Sequence, residues 1–200
     1  MKSSVVSQQD SSHDALTGLA NQTLFIQRLR HAMAGRQTSV PVLFAYIDDF
    51  AAINRAHGQR LADKLLVAVA GRLTRLVGPQ DTSARLDGDT FVVLAQAADD
   101  GPALDSLTRR IDVALNGMYG LDGTQVPVNC TVGHCLAGGT DDGAATIVDQ
   151  TGIAIRRARA TRRGDQGTID LTALTPYRCR AALPQASRPA SVVTGPPGAG

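Results

Sequence analysis

The residues best suited to chemistry are carboxylates gathered at chain reversals. Arg85-Leu86-Asp87-Gly88-Asp89-Thr90-Phe91-Val92-Val93-Leu94 reads as two short apolar strands meeting at an acidic turn, with Asp87-Gly88 as the hairpin signal. Carboxylates at such a tip offer hard oxygen ligands to a cation or frame a phosphate site, and a glycine lets a ligand approach the backbone. Asp-Gly hairpins are also common as plain turns, so the turn alone does not make a site. A second acidic pair, Asp48-Asp49, closes an apolar run, and Asn54 and Asp63 follow it on helical segments.

These groups need elements to hold them. Val40 to Ile47 is a continuous apolar run, the mark of a central strand covered on both faces. Asp48 to Asn54 leads into a helical turn, Gly58 interrupts, and Leu61, Leu65, Val69, Leu73 and Leu76 keep helical spacing beyond it. Upstream, Asp14-Ala15-Leu16-Thr17-Gly18-Leu19-Ala20-Asn21 is a turn in which Gly18 and Asn21 admit positive φ, and Leu24, Phe25, Leu29 and Met33 mark an amphipathic helix after it.

Downstream, Ala97 to Leu104 reads as loop, with Asp99-Asp100-Gly101-Pro102 a breaker and helix start. Leu107, Ile111 and Leu115 then form the buried face of a helix whose polar side carries Arg109 and Arg110. Val126 to Leu136 is strand-like, with Cys130 and His134 expected on opposite faces of a regular strand and His134 read as structural. Gly138 to Gly143 is an acidic loop with too few ligands for calcium. A last helix is expected over about 144–163, carrying a basic cluster of Arg156, Arg157, Arg159, Arg162 and Arg163. Such charge either compensates the helix dipole or forms a phosphate- or partner-binding surface. The order βααββαβ with a C-terminal helix describes an α+β domain with a mainly antiparallel central sheet surrounded by helices.

Composition narrows the function classes. The chain has 200 residues, 43% of them hydrophobic, enough for one domain with a proper core. A net charge of +2 with interspersed signs, no tryptophan and 4% aromatics argue against a nucleic-acid surface or stacking platform. The three cysteines, Cys130, Cys135 and Cys179, lack zinc spacing and read as reduced thiols. With no signal peptide and no membrane-length apolar run, a cytoplasmic location is expected. Residues 1–13 are expected to be a flexible lead, 14–171 the domain, and 172–200, rich in proline, glycine, alanine and serine toward its end, a linker-like or disordered tail.

Arg85-Leu86-Asp87-Gly88-Asp89-Thr90-Phe91 resembles an altered GGDEF signature of diguanylate cyclases. Gly88, Asp89 and Phe91 agree with it, Asp87 replaces the first glycine and Thr90 the glutamate. Asp14-Ala15-Leu16-Thr17-Gly18-Leu19-Ala20-Asn21 is similar to the opening of such domains, a structural wedge to an upstream helix, with Gln22 where an arginine is usual. Phe50, Ile53 and Asn54 fix the register of a third motif, in which Asp48 matches the second aspartate, Tyr46 replaces the first and Ala51 replaces a lysine.

The resemblance implies a fold related to nucleotide cyclase and polymerase palm domains. Two Mg²⁺ ions would bridge GTP phosphates, and two facing domains, as in a homodimer, would each contribute one GTP. The first aspartate is a family Mg²⁺ ligand, and a neutral tyrosine is a poor substitute. Asp49 cannot replace it by sliding one residue unless a bulge intervenes, because neighbouring strand residues point to opposite faces. Asp48 and Asp89, with Ile47, are therefore the metal positions only if a metal is still bound, and the two aspartates are otherwise vestigial.

Asn54 and Asp63 match positions that recognise guanine, and Gly88 and Arg159 complete the nucleotide-binding candidates. Arg159 stands in for a family lysine that helps neutralise triphosphate. Many relatives hold product through Arg-x-x-Asp, of which only Asp81 remains here, Gly78 standing at the arginine. These losses point to a degenerate domain without cyclase activity. It would act as a regulatory or protein-interaction module in cyclic di-GMP signalling, with guanine nucleotide, a protein partner or a tethered phosphodiesterase domain as partners. An active, divergent diguanylate cyclase using Mg²⁺ and GTP is the alternative.

Overall fold

A computed structural model describes residues 12–35, 40–98, 101–137, 144 and 179–181. Helix α1 (Gln22–Gly35) precedes strand β1 (Val40–Ile47), followed by α2 (Phe50–His57), α3 (Gln59–Thr74), β2 (Thr82–Asp87), β3 (Thr90–Leu94) and α4 (Gly101–Leu115). A hairpin of β4 (Gly117–Leu121) and β5 (Thr124–Val128), strand β6 (Cys130–Ala137) and the short β7 (Cys179–Ala181) complete the described elements. The main sheet has the order β2-β3-β1-β6-β7, with every ladder antiparallel, and β4 and β5 form a separate pair. The α+β architecture expected from the sequence is therefore present.

All eight residues of β1 are buried because the strand is central and covered on both faces. Leu43, Ala45 and Ile47 enter a core with Leu65, Val69 and Leu73 of α3 and Leu107 and Ile111 of α4. Val42, Phe44 and Tyr46 enter a second core with Phe25 and Leu29 of α1. The alternation fixes register, since a slip of one residue would exchange the two sets.

Several expectations change. Asn21 does not take positive φ. Its side-chain oxygen instead accepts the Leu24 N–H at 3.0 Å and caps α1, while Gly18 does adopt φ 73°. The segment expected to be loop through Leu104 is helical from Gly101, and Leu104 is buried. Val126 to Leu136 divides into β5 and β6, and β5 belongs to a hairpin the sequence reading lacks. That hairpin turns at Asp122-Gly123, both at positive φ, as a two-residue primed turn demands. Cys130 and His134 share a face, because four residues is an even strand spacing. Cys130 lies in the α3/α4 core and His134 meets Thr108 of α4.

Ser12 and His13, ahead of the expected domain start, make backbone contacts with the segment before α1. Ser12 accepts a backbone hydrogen bond from Asn21, and His13 bridges Ala20. Within the expected tail, Cys179–Ala181 pairs along β6, because the edge of that strand offers unpaired backbone groups to an extended segment. The loop expected over 138–143, all but residue 144 of the helix expected over about 144–163, including Arg159, and the rest of both termini lie outside the described residues. Among the described residues, no helix is long and apolar enough to cross a membrane.

The β4–β5 hairpin is locked to α3 by Arg72. Its guanidinium sits 3.6 Å from the Tyr119 ring centre and donates to the carbonyls of Ala114 and Met118. Burial, then Cys130, pushes the Tyr119 hydroxyl up to about 12. Arg72→Ala is expected to cost about 1–2 kcal/mol in a urea unfolding curve, from the lost cation–π contact and two carbonyl acceptors.

Candidate functional site

The signature hairpin closes with Asp87 paired to Thr90, so Gly88-Asp89 is the two-residue loop rather than Asp87-Gly88. The register irregularity between Arg85 and Asp87 leaves two loop residues, where a regular ladder continued from Arg85 and Phe91 would leave three. Gly88 takes φ 39°, which a side chain would strain. Arg85 explains why the turn holds this shape. Its Nε and Nη2 donate to the Gly88 carbonyl at 2.9 and 2.7 Å, and its Nη1 donates to both Asp14 oxygens at 3.1 and 3.2 Å. One guanidinium thus ties the signature turn to the N-terminal motif.

Backbone bonds run beside that tie. Ala20 N–H donates to Ser83 and Arg85 N–H donates to Ala20, so the N-terminal segment covers the open edge of β2. Asp14 also accepts from the Thr17 backbone and hydroxyl at 2.8 and 2.6 Å. Burial raises its pKa, but the hydrogen bonds from Thr17 and then Arg85, with the charge of Arg85, outweigh burial and leave it lowered. A lowered folded-state value means stabilisation that is present above the unfolded value of 3.8 and lost as pH falls through the folded value. Asp14→Asn is expected to flatten the fall of stability between about pH 5 and pH 2, read by denaturant titration at each pH.

At the end of β1, Tyr46 is 1% exposed and lies in the α1 core, with Thr90 and Thr131 as its cross-strand neighbours. β1 pairs with β6 without interruption from Val40 to Ile47, so no bulge re-aims Asp49. Asp49 instead leaves the strand in a left-handed conformation, φ 52°, is exposed, and starts α2. The Asp48 carboxylate accepts from the Thr131 hydroxyl, at 2.9 and 3.0 Å from its two oxygens. Asp89 is half-buried, and its carbonyl accepts the Ile47 N–H at 3.3 Å, joining the signature turn to β1. Thr90, at the place of the signature glutamate, is buried.

These residues do not suit a two-Mg²⁺ centre. The position of the first ligand, Tyr46, is an aromatic ring in the core, and the Asp48 carboxylate carries the Thr131 hydroxyl. Among the described residues no group of three or more His, Cys, Asp or Glu is placed to hold a metal.

Asn54 is exposed on α2 and Asp63 half-buried on α3, on either side of Gly58, whose φ of 80° makes the corner between the helices. At the Gly78–Asp81 loop both Asp81 oxygens are turned inward, accepting the N–H groups of Gly78 at 2.8 Å and Ala97 at 3.2 Å. The Asp81 carboxylate thus closes the loop on itself and ties it to the segment just after β3. Sequence reasoning missed the roles of Thr131 and Asp14, since both are contacts between residues more than 70 positions apart.

Residues 11–165 match the family described as diguanylate cyclase, GGDEF domain. The chain belongs to the GGDEF family. It is 35% identical over 127 residues to MucR of Pseudomonas aeruginosa, a bifunctional diguanylate cyclase/cyclic di-GMP phosphodiesterase, the match covering 62% of this chain and 18% of MucR. It superimposes on the GGDEF domain of TpbB from Pseudomonas aeruginosa with a TM-score of 0.68 and 30% identity, covering 76% of this chain and 91% of that one. A sensory box/GGDEF protein from Caulobacter crescentus gives a TM-score of 0.67 and 32% identity over 76% of this chain and 99% of its own. The chain spans about a fifth of the length of several curated relatives, MucR included. In this GGDEF domain the signature turn is held to the N-terminal motif by Arg85 and to β1 by the Asp89 carbonyl.

Proposed function

We propose that this GGDEF domain makes no cyclic di-GMP and acts as a regulatory or protein-interaction module in cyclic di-GMP signalling. Guanine nucleotide remains its small-molecule partner, held through Asn54 and Asp63 with Gly88 and Arg159. The observation that carries this reading is Tyr46. At the strand position where the family places a Mg²⁺ ligand, the chain puts a phenol ring into the α1 core. A tethered phosphodiesterase domain, as in MucR, or a second copy of the chain is the expected partner.

An amide and a carboxylate can pair with the donor and acceptor edge of guanine without a metal. Calorimetric titration with GTP and with cyclic di-GMP, each with and without Mg²⁺, is the test. GTP binding is expected in both conditions and is expected to weaken at least about tenfold in Asn54→Ala and Asp63→Ala, a loss of about 1.4 kcal/mol each. Binding that requires Mg²⁺ would favour the divergent-cyclase alternative, in which Asp48 and Asp89 hold the metal and Asp89→Ala abolishes product. No binding of either ligand would leave a protein-interaction scaffold.

A further inference from the structure

Where α1 passes the loop that leads into β2, a cavity of about 550 Å³ lies between the two. Gln27, Arg28 and His31 line it from α1, and their spacing of three and four residues puts them on one face of that helix. Leu24, one turn earlier on the same face, and Pro79 from the loop contribute apolar surface. The loop wall is fixed by its own hydrogen bonds. Asp81 accepts the N–H groups of Gly78 and Ala97, and Gln96 Nε2 donates to the Gln80 carbonyl at 2.9 Å. Arg28 is held as well. Its Nη1 donates to the Thr82 hydroxyl at 2.9 Å, which positions the guanidinium and leaves the Nε–Nη2 edge for a ligand. Asp81 is the only acidic residue lining the cavity, and backbone N–H groups engage both its oxygens. Arg28 therefore lines the cavity as a cation with no carboxylate paired to it among the described residues.

We propose that this cavity binds a small phosphorylated metabolite, with Arg28 as the anchor for its phosphate. A guanidinium edge meets two phosphate oxygens with two parallel N–H bonds. Gln27 and His31, within one turn of Arg28, add amide and ring N–H donors for the remaining oxygen. A volume of about 550 Å³ exceeds what bare phosphate fills and falls in the range of small-molecule pockets. The surplus, with the apolar surface of Leu24 and Pro79, suits a compact organic body attached to the phosphate. The determinants differ from those of the Arg-x-x-Asp product motif. Gly78, at the arginine position, does not line this cavity, and the Asp81 carboxylate is engaged by the backbone. They differ also from Asn54 and Asp63, which lie on α2 and α3.

The test is a nitrogen NMR titration of the full chain with phenyl phosphate, with inorganic phosphate, and with chloride at matched ionic strength. Phenyl phosphate is expected to move the Arg28 Nε–H and the amides of Gln80 and Thr82. It is expected to bind at least about threefold tighter than inorganic phosphate, because its ring rests on the apolar part of the cavity. Arg28→Gln is expected to weaken binding at least about tenfold. Arg28→Lys should recover part of that loss, since the charge returns without the fork. Arg109→Gln, an exposed cation on α4, is expected to leave the affinity unchanged. Arg28 is itself exposed, so its variants are expected to fold, which their melting curves check. An affinity unchanged in Arg28→Gln would overturn the proposal, as would shifts spread evenly over the surface arginines or an equal response to chloride. Displacement of phenyl phosphate by a lower concentration of cyclic di-GMP would also overturn it, by making the cavity a dinucleotide site.

Discussion

Tyr46→Asp is expected to destabilise the domain by about 4 kcal/mol, a fall in melting temperature of roughly 10–15 °C for a domain of this size. Restoring the family carboxylate is chemically attractive and structurally costly. The ring is 1% exposed in the core built by Phe25, Leu29, Val92 and Ala84, so removing it leaves a cavity against α1. The new carboxylate would be desolvated, two residues from the Asp48 carboxylate on the same face of the strand. Circular-dichroism melting of parent and variant reads the effect. A Tyr46→Asp protein that keeps the parental melting temperature would show that the ring is not part of the core.

Arg85→Ala is expected to cost about 2–3 kcal/mol and to loosen two motifs at once. The guanidinium is 13% exposed and Asp14 23%, so their ion pair is partly shielded from solvent and is stronger than a surface pair. Its removal leaves the Gly88 carbonyl without the two donors that hold the turn and Asp14 with Thr17 alone. Urea unfolding measures the cost, and amide exchange at Gly88 and Ala20 shows whether both sites open together. Arg85→Lys should recover little, because one ammonium cannot reproduce the fork that spans carbonyl and carboxylate. A loss below about 0.5 kcal/mol would mean that the β2 edge pairing alone holds the N-terminal segment.

The sequence shows most of the scaffold because its signals are local. The unbroken apolar run of β1, the spacing of Leu65, Val69 and Leu73, and the Leu107–Ile111–Leu115 face each state their burial within a few residues. The β4–β5 hairpin left only its turn in the sequence. Leu121-Asp122-Gly123-Thr124 carries the same Asp-Gly signal as the signature turn, but Gly117 and Gly120 thin out the alternation that would have marked β4 as a strand. The order of the sheet and the short β7 were not legible, since pairing between distant strands leaves no local pattern.

The site divides the same way. Tyr46 and Thr90 could be seen to depart from the motif, yet only the fold shows that both are buried rather than open to a substrate. Thr131 reaching Asp48 across 83 positions, and Arg85 reaching Asp14 across 71, needed the packed structure. The parity of Cys130 and His134, by contrast, follows from counting along a strand and required no structure at all.

The most direct test of the account is incubation of the purified protein with GTP and Mg²⁺, followed by chromatographic analysis of the products, with an active diguanylate cyclase as reference. The account predicts no cyclic di-GMP above the no-enzyme background while GTP remains intact. Mg²⁺-dependent formation of cyclic di-GMP that disappears in Asp89→Ala would contradict it, and would mean that the turn holds a metal with Tyr46 in place.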